Sequence, residues 1–420
     1  MHKVILSICV LLAAMATYAA DPTATHYPAA DCQGSLKPYP APEQSIAAPD
    51  SLKPVYISHV GRHGARYPAS ATHCMELKQV LESAQQQGSI TPLGIKLSKL
   101  VDHVIETSHN RWGALDSLGM AEQRGIASRM FVTFPAPFTD GVVNAISSYS
   151  PRSMMSMFSF VHQLDRLNNH VEINTSTGRK NSALMRPFDV DQDYIAYIKG
   201  GTWKEAYDPY FKSTAPSAPI ERVVGKGYNY GDKDPQNLSL TEYYVIAGLS
   251  AMSVEANALD YFTLDEYNAL WSIFNLRQYL QRAATTQSSI PADIASQLLL
   301  NIITLTDEFI AGVNPATVDL RFGHAETLFP LLSLMRVQGS YYLTNYFDTV
   351  GQHWMDFQNV PMAANLQMIL FKGGKKGDYY VRFDLNEHPI KLIPNDDRIY
   401  LPWIEARNYL VHCLPLFYQP

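Results

Sequence analysis

Apolar and β-branched positions cluster at residues 55–60 and stop abruptly at Gly61-Arg62-His63-Gly64-Ala65-Arg66. That run predicts a buried strand carrying Val55, Ile57 and Val60. The two glycines permit a tight turn at its carboxyl end. Helical spacing follows at 75–87 and again at 116–131, where Leu118, Met120, Ile126 and Met130 lie among polar residues. A short strand is expected at 142–149, and Ser150-Pro151-Arg152-Ser153 then opens a helix. From about 158 to 312 the pattern turns helical, with segments at 240–261, 264–283 and 290–311 around a polar, Tyr- and Gly-rich loop at 225–234. Strands return at 317–322, 366–371 and 379–385, and a helix begins at about 328, just after Gly323-His324-Ala325-Glu326-Thr327. Residues 21–50 are rich in Pro and Ala and read as an extended lead-in.

This alternation predicts an α/β core interrupted by a mainly helical inserted domain. The α/β part is expected at 21–155 and 313–420, and the helical insertion at 156–312. Residues 1–20 stand apart. His2 and Lys3 precede the apolar run 4–16, and the small residues Thr17 and Ala19 fit a cleavage site, as in a secretory signal peptide. The expectation is an exported protein, periplasmic or secreted. A lipid-attachment box ending at Cys9 would leave almost no apolar segment before it. No later run has the length and apolarity of a membrane span.

The chain has 420 residues, 46% hydrophobic and 17% charged, which suits one large core or two domains. A net charge of −6 argues against a nucleic-acid binder, though it leaves room for a local cationic pocket. Cys32, Cys74 and Cys413 remain after the leader, so at most one intramolecular disulfide can form. Their spacing has no zinc-site pattern.

The chemistry sits at three strand ends. The first offers Arg62, His63 and Arg66, the second Arg152, and the third His324 and Glu326. Ligands of open α/β sheets bind at that edge. Guanidinium forks suit phosphate oxygens, and N–H groups of a following helix start would add to them. Each later residue has a plainer reading. Arg152 fits a helix-start salt bridge, His324 a hydrogen-bonded turn histidine, and Glu326 a carboxylate complementing the helix dipole. His59, inside the first strand, reads as a hydrogen-bonded residue behind the site.

RHGARYP at 62–68, SPRS around Arg152 and GHAET at 323–327 together resemble the histidine phosphatase superfamily, in its acid phosphatase and phytase branch. Leu115 to Gly125, the run 361–366 and Leu385-Asn386-Glu387 also look like that branch, so the resemblance spans most of the mature chain. Most phytases of the branch have His-Asp at the second catalytic motif. The His324-Ala325-Glu326 of this chain resembles the multiple inositol polyphosphate phosphatases instead.

The resemblance implies a phosphoglycerate mutase-like core, a three-layer α/β sandwich with a central mixed, mostly parallel sheet, and a polyanionic small-molecule substrate, phytate or related inositol phosphates. It implies that His63 attacks phosphorus and that Glu326 first protonates the leaving oxygen and then activates water. Arg62, Arg66, Arg152 and His324 would hold the phosphoryl oxygens, with no cofactor and no metal. Neighbouring guanidiniums are expected to depress the pKa of His63. Arg179, Lys180, Arg186, Lys226 and Lys233 are candidates for further phosphate contacts, and a monomer is expected. The alternatives are a broad-specificity histidine acid phosphatase, a phosphotransferase built on the same core, and a binding protein without turnover.

Overall fold

Strand β1 (Leu52–Arg62) is buried from Tyr56 through Arg62, and only its first four residues reach solvent. That is why its sequence reads as a nearly continuous apolar run rather than a strict alternation. The computed structural model describes residues 26–373 and 378–418, and the expected signal peptide lies outside them. Seven further strands complete one sheet: β2 (Val142–Ser147), β3 (Glu172–Ser176), β4 (Val318–Gly323), β5 (Asn365–Gly373), β6 (Asp378–Leu385), β7 (His388–Ile390) and β8 (Leu401–Pro402). Their order is β3-β2-β4-β1-β5-β6-β7, with β8 also on β6. Strands β3, β2, β4 and β1 are mutually parallel, whereas β5 runs against β1 and β6 against β5. The sheet is therefore mixed, as expected.

Alternate side chains feed two cores. Tyr56, Val60, Leu366, Met368 and Leu370 face helices Ser296–Ile310, Ala325–Leu334 and Trp403–Cys413. Ile57, Leu320, Phe322, Ile369 and Phe371 face helices Ser117–Thr133 and Pro151–Leu167. Helices on both faces make the three layers. A separate cluster joins helices Thr72–Gln86 and Pro92–Ser108 to Ala218–Val224, Pro235–Ala247 and Leu264–Arg282.

Packing departs from the boundaries read at 155/156 and 312/313. Strand β3 extends the sheet from within 156–312, and helix Ser296–Ile310 covers a sheet face, while the helices of 72–108 pack with the helical cluster. The exposed, polar pattern of Glu172–Ser176 hid an edge strand. The segment expected as one helix at 240–261 ends at Ala247, and the one at 290–311 breaks near Ala295. The lead-in is not merely extended, because Asp31–Leu36 forms a 3-10 turn with Cys32, Gly34 and Ser35 buried. No described helix is long and apolar enough to cross a membrane. Cys32, Cys74 and Cys413 are all buried free thiols.

Candidate active site

Strands β2, β4 and β1 are adjacent and parallel, so their carboxyl ends meet at one edge. Arg62 ends β1, Gly323 ends β4 directly before His324, and β2 leads through Ser148 into helix Pro151–Leu167, which carries Arg152. All six residues read from the motifs come together here. The rings of His63 and His324 stand 5.5 Å apart, edge to face.

The loop after β1 is held by backbone-to-backbone packing. A Cβ on Gly64 would lie 2.4 Å from the Gly119 carbonyl oxygen, and one on Gly119 would lie 2.2 Å from that of Ala65. Neither Gly61 nor Gly64 has positive φ, so the glycines serve close approach rather than the tight turn expected from the sequence. His63 N donates to Gly323 O, Gly64 N to Ser156 Oγ and Ala65 N to Glu122 Oε2. These N–H groups are spent inside the protein, and the next helix begins only at Thr72. The anion site expected at a helix start after β1 is therefore absent among the described residues, and side chains must supply the grip.

His63 is buried, and its Nδ1 lies 2.9 Å from Gly64 O. A carbonyl only accepts, so Nδ1 carries the proton and the lone pair sits on Nε2. Burial, then the charges of Arg62, Arg152 and Arg66, hold its pKa well below the usual histidine range. The ring therefore favours its neutral form, with the Nε2 lone pair available. Arg62 gives both Nη1 hydrogens to main-chain carbonyls, Ser35 O at 2.6 Å and Val360 O at 2.8 Å, while its Nε has no partner. Arg66 donates from Nη1 to Tyr67 O, and Nε of Arg66 and of Arg152 also lack partners. Burial and mutual repulsion push Arg66 down to about 9. Such crowded, under-bonded guanidiniums favour an anion among them.

The final helix of the site starts at Ala325 rather than 328, with His324 as its N-cap residue. Arg186 Nη1 donates to His324 Nε2 at 2.8 Å, which leaves the proton of the neutral ring on Nδ1, 3.4 Å from Arg152 Nη2. Burial lowers the His324 pKa, and Arg152 and Arg186 add to that against the opposing Glu326. Glu326 Oε1 lies 3.2 Å from Arg282 Nη2. Burial would raise the Glu326 carboxyl, but Arg282, His324 and Arg62 outweigh it and hold the group well below the carboxylate range.

Of the extra cations read from sequence, Arg186 reaches the site through His324. Arg179, Lys180, Lys226 and Lys233 are exposed and do not line the cavity. Arg282 and Arg277 do line it, on helix Leu264–Arg282. Nothing local marked them, since both sit inside an ordinary helical pattern far from any motif. His59 differs from expectation. It shares the Ile57 face, but neither ring nitrogen has a hydrogen-bond partner, and the ring packs against Phe160 and Phe322. Burial takes its pKa down to about 3. The cavity holds about 380 Å³ and is lined by five arginines against one carboxylate, Glu326. No group of three or more His, Cys, Asp or Glu among the described residues could hold a metal ion.

No family model matches the chain. Its sequence is 24% identical to multiple inositol polyphosphate phosphatase 1 of Homo sapiens over 395 aligned residues, covering 85% of this chain and 80% of that protein. The Gallus gallus protein of the same name is 23% identical over 373 residues, with the same coverage. The fold matches the Bifidobacterium longum multiple inositol polyphosphate phosphatase in complex with inositol hexasulfate, with a TM-score of 0.74 and 17% identity, over 92% of this chain and 99% of that one. It also matches the phytase from D. castellii, with a TM-score of 0.72 and 16% identity, over 92% and 86% of the two chains.

Proposed function

We propose that this chain, which has the fold and the sequence likeness of the histidine acid phosphatases and phytases, hydrolyses inositol polyphosphates stepwise, phytate foremost, through a covalent phosphohistidine. It is a phosphomonoester hydrolase of the histidine phosphatase type. One observation carries the mechanistic reading: a neutral, buried imidazole with its Nε2 lone pair free stands among three guanidiniums whose Nε atoms lack partners. In the first displacement Nε2 of His63 bonds to phosphorus and the ester oxygen leaves with the proton of Glu326. In the second, Glu326 takes a proton from water, whose oxygen displaces the histidine. Arg62, Arg66, Arg152 and His324 hold the phosphoryl oxygens and offset the charge spread over them.

A polyanionic substrate is supported by the five arginines of the cavity and by the named relatives. Substrate phosphates near Arg282 would loosen its hold on Glu326, so the carboxyl gains its proton when the ester arrives. Export belongs to the same reading and rests on the leader pattern of residues 1–20. The test is phosphate release from phytate by the purified mature chain and by His63→Ala. Robust release that falls by several orders of magnitude in the variant supports the reading. Release from simple aryl esters with none from phytate would overturn the substrate and favour a broad acid phosphatase.

A further inference from the structure

Arg62 is the deepest of the phosphate-facing arginines, and both carbonyls that hold it depend on one residue outside the motifs. Ser35 O and Val360 O accept from Arg62 Nη1. Ser35 lies in the 3-10 turn Asp31–Leu36, and its N–H donates to Asp356 Oδ2 at 2.7 Å. Val360 closes the short helix Asp356–Asn359, its N–H donating to the Asp356 carbonyl at 2.9 Å. One acceptor of Arg62 is thus tied to the side chain of Asp356 and the other to its main chain.

Asp356 is itself fixed. It is fully buried, its Oδ1 accepts from Trp271 Nε1 at 3.0 Å, and its N–H donates to Asn275 Oδ1 at 2.9 Å. Its carboxylate also favours the charged form of Arg62, which burial disfavours. The turn that brings Ser35 to it requires glycine at 34, where φ is +59° and a Cβ would lie 2.7 Å from Asp356 Oδ2. A carboxylate buried this deeply needs a reason beyond packing, because its desolvation is costly.

We infer that Asp356 is the positioning residue for Arg62, aiming the guanidinium at the phosphoryl oxygens through the Ser35 and Val360 carbonyls. The inference rests on the proposed phosphatase reading. Asp356→Asn sets an amide N–H₂ against either Ser35 N–H or Trp271 Nε1–H, so one of the two bonds that fix Ser35 and Asp356 is lost. A misplacement of about 1 Å costs on the order of 100-fold in rate.

The test is a double-mutant cycle of Asp356→Asn with Arg62→Ala, with kcat and KM measured on phytate and melting followed in parallel. The expected result is a kcat loss of about 10- to 100-fold for Asp356→Asn alone. KM should change less, since the remaining phosphates still bind. In the Arg62→Ala background the same change should cost under about 3-fold, because its route is gone. Equal losses in both backgrounds, or a lower melting temperature with unchanged kcat, would overturn the inference. Trp271→Phe, which removes only one contact to the carboxylate, is the gentler companion should Asp356→Asn fail to fold; its smaller loss should also vanish without Arg62. If the unaltered chain releases no phosphate from phytate, the proposed function fails. The cycle is then read on the calorimetric dissociation constant for orthophosphate, where Asp356→Asn should weaken binding only when Arg62 is present, and additive weakening would contradict it.

Discussion

Replacing Arg282 by Gln should move the pH dependence of turnover in a defined direction. Arg282 Nη2 stands 3.2 Å from Glu326 Oε1, and its Nε donates to Gln278 Oε1 at 2.5 Å, so its head is fixed by its own helix. At that separation two unit charges attract by about 1.3 kcal/mol in water and about 5 kcal/mol at an effective dielectric of 20. The Glu326 side chain is 33% exposed and that of Arg282 16%, which places the pair nearer the watery limit. A discounted value of about 1–2 kcal/mol corresponds to roughly one pKa unit. Arg282 stabilises the ionised carboxylate, so its loss raises the Glu326 pKa. The assay is kcat/KM against pH with glycerol 2-phosphate, an alkyl ester whose leaving oxygen needs the proton, and it reports the free enzyme. The limb on which activity falls as Glu326 loses its proton should shift upward by about one unit. Ionisation of the ester moves both profiles alike, so the difference isolates the enzyme. An unmoved limb, or one displaced to lower pH, would refute the ion-pair reasoning and the assignment of Glu326 as proton donor.

Gly64→Ala forces a methyl into the Gly119 carbonyl at 2.4 Å; because backbone must move, it should cost about 1–3 kcal/mol or more of stability in denaturant titration, with kcat falling too. His59→Phe replaces a ring with two unpartnered nitrogens by an apolar one among Phe160 and Phe322, so melting should rise by the equivalent of about 1 kcal/mol while phosphate release stays within about 3-fold. A large loss of release would give His59 a direct role. Glu242 is fully buried with both carboxyl oxygens unpartnered, and burial lifts it to about 8. The unfolded chain ionises it above about 4.3 while the fold keeps it protonated to about 8, so its burial lowers stability progressively across that window. Glu242→Gln should therefore gain melting temperature relative to the natural chain as pH rises from about 4.3 to 8 and level off above, as read by scanning calorimetry at several pH values.

The sequence was most legible where one residue's environment was set by its neighbours in the chain. The strand into Arg62-His63, the strand before Arg152 and the strand before His324 were readable because buried parallel strands demand apolar runs, and three such runs ending in cations point to one sheet edge. Strand β3 was not, because an edge strand with solvent on one side carries polar residues such as Asn174 and Ser176. The domain boundaries followed helical character, yet helix Ser296–Ile310 packs on the sheet while Thr72–Gln86 packs away from it. Periodicity reports which face is apolar and is silent on what covers it. Arg277, Arg282 and Asp356 were hidden for a related reason: they reach the cavity or its supports across more than 200 residues of chain from His63, and only tertiary contacts reveal them.

The covalent step is the centre of the account, and Glu326→Gln with 4-nitrophenyl phosphate tests it most directly. Nitrophenolate leaves without a proton, so the first displacement should proceed while the second, lacking its base, stalls. The account predicts a burst of nitrophenolate near one equivalent of enzyme and one phosphoryl group mapped by mass spectrometry to His63 after an alkaline quench. Turnover with no phosphorylated protein, or a phosphoryl group on another residue, would contradict it.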